Sequence, residues 1–227
     1  MPDIIKDVNN KGFWDNLKPG DTVRFGCFKQ ELRNGKTPLE WLVLDVAASD
    51  ETASGRREAL LLSRKVLFFR RFHIGGATNW AISKLRELLN GNFAGVAFSA
   101  VELEMIAVSH LHDEACPKYD DDAGEICKWP EGRQFCPDTD DKVFCLSIAE
   151  VEKYFPAKEN RLCGAVPSAF QGYVSQEETD PYSWWWLRSP GDIDRIAASV
   201  GYEGDFHRGN FASNFCGVRP ALRIKET

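Results

Sequence analysis

Residues Trp184–Leu222 read WWWLRSPGDIDRIAASVGYEGDFHRGNFASNFCGVRPAL. The ends are apolar and stiff: WWWLRSPG on one side, GVRPAL on the other. The middle mixes Asp, Arg, Tyr, Glu, Phe, His, Asn and Ser, and glycines at 191, 201, 204, 209 and 217 cut it into short turns. Trp184–Arg188, Ala197–Tyr202 and Val218–Ile224 are expected as short strands. Aromatic and adaptable polar residues on glycine-punctuated turns make a contact surface rather than a core. For Phe206, Phe211 and Phe215 the alternative is an inward position on edge strands. Arg188 and Arg219 lie inside the apolar ends and read as structural cations that hold carbonyls or a carboxylate. Alternation along a strand buries at least one indole of Trp184–Trp186.

Working outward from this segment, Val23–Phe28 is strand-like, and Asn34-Gly35 signals a turn. Leu39–Val46 (LEWLVLDV) is apolar at both alternating sets of positions, as in a central, buried strand. Glu58–Ser63 (EALLLS) is a third strand. Trp80–Asn90 has helical spacing, with Ile82, Leu85 and Leu89 on one face and Asn90-Gly91 as a stop. Ser99 with Glu102, and Ser147 with Glu150, are capping-box patterns that open two more helices; the first runs to about Val108 and the second ends at Pro156. Lys142–Leu146 returns to strand. Strands, then helices, then strands define an α+β class. The expected organisation is a leader over 1–19 and one domain over 20–227, with an insertion at 109–141 and a variable-type region at 184–222.

The chain has 227 residues, enough for one sizeable core. Lys and Arg total 28 and Asp and Glu total 34, a net charge of −6. Residues 113–141 hold ten acids and three bases, so this segment is −7 and the remainder about +1. A general nucleic-acid binder needs a basic stripe, so no nucleic-acid partner is expected. The opening MPDIIKDVNN has no apolar core of a signal peptide, and no apolar run approaches the roughly 18 residues of a membrane span. A cytoplasmic or phage-particle location and reduced thiols are expected for the seven cysteines.

Candidate chemistry is sparse. Cys116, Cys127, Cys136 and Cys145 contain no C-x-x-C, so no metal site is assigned; a zinc site joining them to His110 or His112 is the alternative. Asp120–Asp122 lacks the alternating ligands of a calcium loop. No G-x-S-x-G occurs, and a Cys216–His207 pair has no third, orienting group. His73-Ile-Gly-Gly76 precedes a helix but lacks a phosphate-loop lysine, and reads as a turn. No cofactor and no catalytic residue are expected.

The segments WWLRSPG and GVRPAL resemble those of a bacterial domain family of unknown function. So do Gly20-Asp21-Thr22-Val23-Arg24-Phe25-Gly26, Asn34-Gly35-Lys36, Glu40–Asp45, Ala59–Ser63, Asp141–Phe144 and Leu146-Ser147. The likeness runs from about 19 to 224. In its C-terminal pattern this family is similar to C-type-lectin-fold proteins of the formylglycine-generating-enzyme type, and to the variable proteins of diversity-generating retroelements. The resemblance implies a C-type-lectin-like fold of short mixed and antiparallel strands, two or three helices and much irregular structure. It further implies a non-enzymatic binder of a protein or glycan target. Carried over, it makes Asp192, Asp194, Arg195, Ser199, Tyr202, Glu203, Asp205, Phe206, His207, Arg208, Asn210, Phe211, Ser213 and Asn214 ligand contacts, with Trp185 added from the indole run. Adenine-directed copying of Asn-type codons yields Asn, Asp, Ser, Tyr, His, Arg, Phe, Ile and Gly, and residues 191–217 come largely from that set. The enzymes of the type use a cysteine pair where this region has only Cys216. A thiol- or metal-dependent enzyme and a structural domain of a phage or cell-surface assembly are the alternatives.

Overall fold

Glu58–Ser63 (β4) is buried at all six positions, and the four apolar residues at its centre, Ala59–Leu62, are what a central strand requires. The computed structural model describes residues 5–8, 10, 12–33, 35–48, 51, 55–76, 78–113, 136–171, 181–191 and 195–227. One mixed sheet runs β1 (Ile5–Asp7), β2 (Thr22–Lys29), β3 (Lys36–Ala47), β4, β14 (Ala221–Lys225) and β6 (Ile106–Ala107), and β9 (Val143–Phe144) also pairs with β14. A second sheet has the order β12 (Phe206–Phe211), β11 (Ile196–Val200), β10 (Trp185–Pro190), β13 (Phe215–Val218) and β5 (Phe68–Arg71). A separate ribbon pairs β7 (Ser109–Leu111) with β8 (Thr139–Asp141). Short helices complete an α+β architecture: α1 (Lys84–Leu88), α2 (Ala94–Ala97), α3 (Ala100–Met105) and α4 (Ile148–Tyr154).

The two larger sheets are stitched by a double crossing. β4 pairs antiparallel with β14, and β5 pairs antiparallel with β13. Between them the Ser63 amide donates to the Pro220 carbonyl (2.9 Å) and the Leu67 amide to the Val218 carbonyl (3.0 Å). The expected strand Val218–Ile224 is therefore two strands. Pro220 lacks an N–H, and the chain leaves one sheet there to enter the other. Arg219 is buried at the crossing. Its Nε donates to the Ser63 carbonyl (2.9 Å), and its guanidinium lies 5.0 Å from the Trp185 ring centroid. Arg188 is likewise a structural cation, 3.0 Å from Asp113 and bonded to Glu150 and to the Cys145 carbonyl.

The indoles of Trp41, Trp80, Trp185 and Trp186 are fully buried. Each donates its N–H: to the Phe25 carbonyl, Asp141, the Arg161 carbonyl and the Arg70 carbonyl respectively. That satisfies the one polar atom burial would otherwise strand. Both capping boxes form, at Ser99/Glu102 and at Ser147/Glu150.

Several boundaries differ from expectation. The helix expected over Trp80–Asn90 begins at Lys84, because the Ser83 hydroxyl accepts from the Arg86 amide and Trp80 is pinned to Asp141. Ile82 is left outside the helix and exposed. Asn90-Gly91 does not stop the helix. It passes through a π-turn, Leu89–Phe93, while the Asn90 side chain bonds the backbone of Lys142 and Val143. α3 ends at Met105, three residues early, where the chain turns to pair with β14 as β6. The segment expected as a leader supplies β1, parallel to β2, with Lys6 paired to Asp21 and Phe13 and Leu17 in the core. The two ends of the 109–141 insertion pair as β7 and β8; residues 114–135 lie outside the described residues. Among the described residues, no helix is long and apolar enough to cross a membrane.

Candidate ligand-binding surface

β12 is an edge strand that alternates half-buried Phe206, Arg208 and Asn210 with exposed His207, Gly209 and Phe211. Its sequence, FHRGNF, does not read as a strand because glycine and charge interrupt the apolar set. Its two ends differ in environment.

The β11–β12 turn, residues 201–205, is clamped. Arg161 stacks 4.2 Å from the Phe206 ring centroid and donates to the Gly204 carbonyl (3.3 Å). Lys158 pairs with Asp205 at 3.4 Å. Gly204 has φ +81°, and a Cβ there would lie 2.0 Å from the Lys158 carbonyl oxygen. The glycine is required twice, by its backbone angle and by the close approach. The His207 ring lies against Trp184 (4.2 Å between centroids), and Tyr202 meets the same indole edge-on at 5.7 Å.

The β12–β13 turn, residues 212–214, is open. Phe211 is 49% exposed and Phe215 is 40% exposed. The Arg71 guanidinium sits 4.7 Å from the Phe215 ring centroid, and these residues are partners in the β5–β13 register. The Asn214 amide donates to Asn210 (3.2 Å), and Asn210 donates to the Ser199 hydroxyl (3.4 Å). Beneath them the backbone is fixed: the His73 amide donates to the Ala212 carbonyl (2.9 Å) and the Ala212 amide to the Arg195 carbonyl (3.0 Å). Exposed Ile74 lies on the same β5 extension, one residue beyond His73.

The expected contact residues therefore divide. Arg195, Asn210, Phe211, Ser213 and Asn214 gather at the open end. Tyr202, Glu203, Asp205, Phe206 and His207 belong to the clamped end, with Arg208 between. Asp192 and Asp194 lie outside the described residues. Trp185 and Ser199 are corrected: both are fully buried, Trp185 under Arg219 and Ser199 beneath the edge strand, and neither presents a side chain to solvent. Arg71 and Ile74 were not legible as neighbours of this surface, because only the long-range β5–β13 pairing brings them there.

Three buried thiols, Cys136, Cys145 and Cys216, offer little nucleophilic character. Burial pushes the Cys145 thiol up to about 12 and the Cys136 thiol up to about 11. Cys216 is buried and raised well above the ordinary thiol range for the same reason, whereas His207 lies exposed against Trp184. Among the described residues, no group of three or more His, Cys, Asp or Glu side chains is arranged as it stands to hold a metal ion.

The architecture defines an α+β domain of two open mixed sheets joined by a double crossing, with an aromatic surface at one end of an edge strand. The chain belongs to the DUF6273 family, a domain of unknown function, whose model matches residues 57–226. That match begins beside β4 and ends beside β14, so it brackets the crossing. No curated protein and no solved structure matches the chain.

Proposed function

We propose that the protein is a non-enzymatic binding domain whose open β12–β13 end takes a glycan or protein target. The observation that carries this is the pair of exposed rings, Phe211 and Phe215, the second beside Arg71, at either side of a turn whose backbone is tied to two neighbouring segments. Rigid aromatic area lowers the ordering cost of binding, and Asn210, Ser213 and Asn214 add hydrogen-bonding groups. Exposed aromatics in the company of amides and a guanidinium suit the mixed apolar and polar faces of sugars and of peptide surfaces.

The finer proposal is that the fold is C-type-lectin-like and that residues 191–217 are diversified in the manner of retroelement variable proteins. Its support is the residue types of that segment and its confinement between β10, buried throughout, and the largely buried β14. Two experiments test the proposals separately. Glycan-array binding by the wild-type chain should be lost in Phe211→Ala/Phe215→Ala; array and peptide-display binding that is absent from the wild type, or unchanged in the variant, overturns the binding role of this end. A nearby reverse transcriptase, with a template repeat that differs from the gene at adenines, is expected for diversification; absence of both overturns it.

A further inference from the structure

Away from that surface, four side chains with metal-binding chemistry share one side of the β7–β8 ribbon. The register places His110 opposite Asp140 and Leu111 opposite Thr139. Alternation separates the ribbon into two faces. Ser109, Leu111, Thr139 and Asp141 are buried, while His110 and Asp140 face solvent. His112 and Asp138 follow the same alternation one step beyond the ribbon. The side chains of His110 and His112 are each 68% exposed, and that of Asp138 is 43% exposed.

Three contacts join them. His112 Nδ1 lies 2.6 Å from Asp138 Oδ1, and His110 Nδ1 lies 3.0 Å from Asp140 Oδ1. These are ordinary imidazole–carboxylate hydrogen bonds. The third is different: His110 Nε2 lies 3.4 Å from Asp138 Oδ2. That is long for a charge-assisted hydrogen bond. It is, however, the spacing of two donors on one tetrahedral ion, since arms of about 2.0–2.1 Å place neighbouring ligands about 3.3–3.4 Å apart. The other nitrogen of His110 already rests on a carboxylate, the arrangement that orients a metal-binding imidazole.

We propose that His110, His112 and Asp138 form a binding site for a divalent transition metal ion of the zinc type, with Asp140 as the positioning residue for His110. Two imidazoles and one carboxylate suit zinc and its first-row neighbours; calcium and magnesium favour all-oxygen sets. As the side chains stand, only two of the three ligands are spaced for a common ion. The third, His112, is spent on its hydrogen bond to Asp138. Binding turns this exposed ring out of that bond and toward the shared point. The backbone of β7 and β8 is already paired, so the ordering cost falls on a few exposed side-chain torsions. The ion would tie the end of β7 to the approach to β8, at the two ends of the 114–135 segment.

The test uses the full chain without a polyhistidine tag. Calorimetric titration with zinc chloride should give one ion per chain, and His110→Ala, His112→Ala and Asp138→Asn should each weaken binding by about tenfold or more. Asp140→Asn should weaken it about tenfold by loosening His110. The cobalt(II) adduct should show ligand-field bands without thiolate-to-cobalt charge transfer. These positions are exposed, so unchanged circular-dichroism melts in the metal-free variants show that folding is intact. No zinc binding by the wild type, unchanged affinity in His110→Ala/His112→Ala, or an intense thiolate charge-transfer band each overturns the proposal. The last outcome would assign the ion to cysteines instead.

Discussion

The two ends of β12, residues 201–206 and 211–215, both mix polar and aromatic residues and have opposite surroundings. At 201–205 an arginine, a lysine and a backbone carbonyl close over the turn. At 212–214 the backbone is equally well tied, yet the rings of Phe211 and Phe215 remain outside. Composition alone marks both as display loops. The difference lies in what the described residues place beside them: the 158–161 turn at one end, and the β5 edge and Arg195 at the other. Rigidity without cover distinguishes a candidate binding surface from a packed corner.

The sharpest way to break this contrast is Gly204→Ala. A Cβ at φ +81°, aimed at the Lys158 carbonyl, should cost about 3 kcal/mol or more. In a chain of this size that lowers the thermal midpoint by about 6–12 °C. A midpoint shift near zero would show that the turn is not clamped. Next is Arg161→Ala, which removes the stack on Phe206 and donors to the Gly204, Phe155 and Pro156 carbonyls. Chemical denaturation should register a loss of about 1–2 kcal/mol.

At the open end the expectation reverses. Phe211→Ala and Phe215→Ala should each change stability by less than about 1 kcal/mol, because little of either ring's contact is with the core. Losses above about 2 kcal/mol would place these rings in the fold rather than on a surface. The smallest effect concerns how far the opening reaches. Cys216 adjoins Phe215 in β13 but is buried, with its thiol raised by desolvation, so iodoacetamide at neutral pH should leave it unmodified. Exposed Cys27 should label, and site-resolved mass spectrometry separates the two. Rapid labelling of Cys216 in the folded chain would mean that solvent penetrates beneath the β12–β13 end.

What was legible in the sequence was local. The capping boxes at Ser99 and Ser147 are complete within four residues, so their helices start where the pattern says. β4 declares itself by four consecutive apolar residues, Ala59–Leu62, which suit burial on both faces. Elements whose existence depends on distant partners were hidden. β12 exists because β11 supplies a ladder, and β5 because β13 does. Phe68-Phe69-Arg70-Arg71 has no alternation that would announce a strand. Trp185 shows the same limit at the candidate site: an indole run predicts some burial, but the Arg161 and Arg70 carbonyls, which accept from Trp185 and Trp186, allow both of these indoles to go inside. The open end was found as a composition, and its neighbours Arg71 and Ile74 were supplied by register.

The double crossing also sets an order in time. Leu61 in β4 meets Leu222 in β14, and Phe69 in β5 meets Gly217 in β13. On a growing chain β4 can pair with β3 early, but its other edge stays bare until β14 has been made. Such long-range closure is slow, and a bare apolar edge is sticky while it waits. The nascent protein therefore has its greatest need of chaperone protection in the interval before β14 emerges. A chain that stops short of Ala221 would leave β4, β6 and β9 without the strand that joins them.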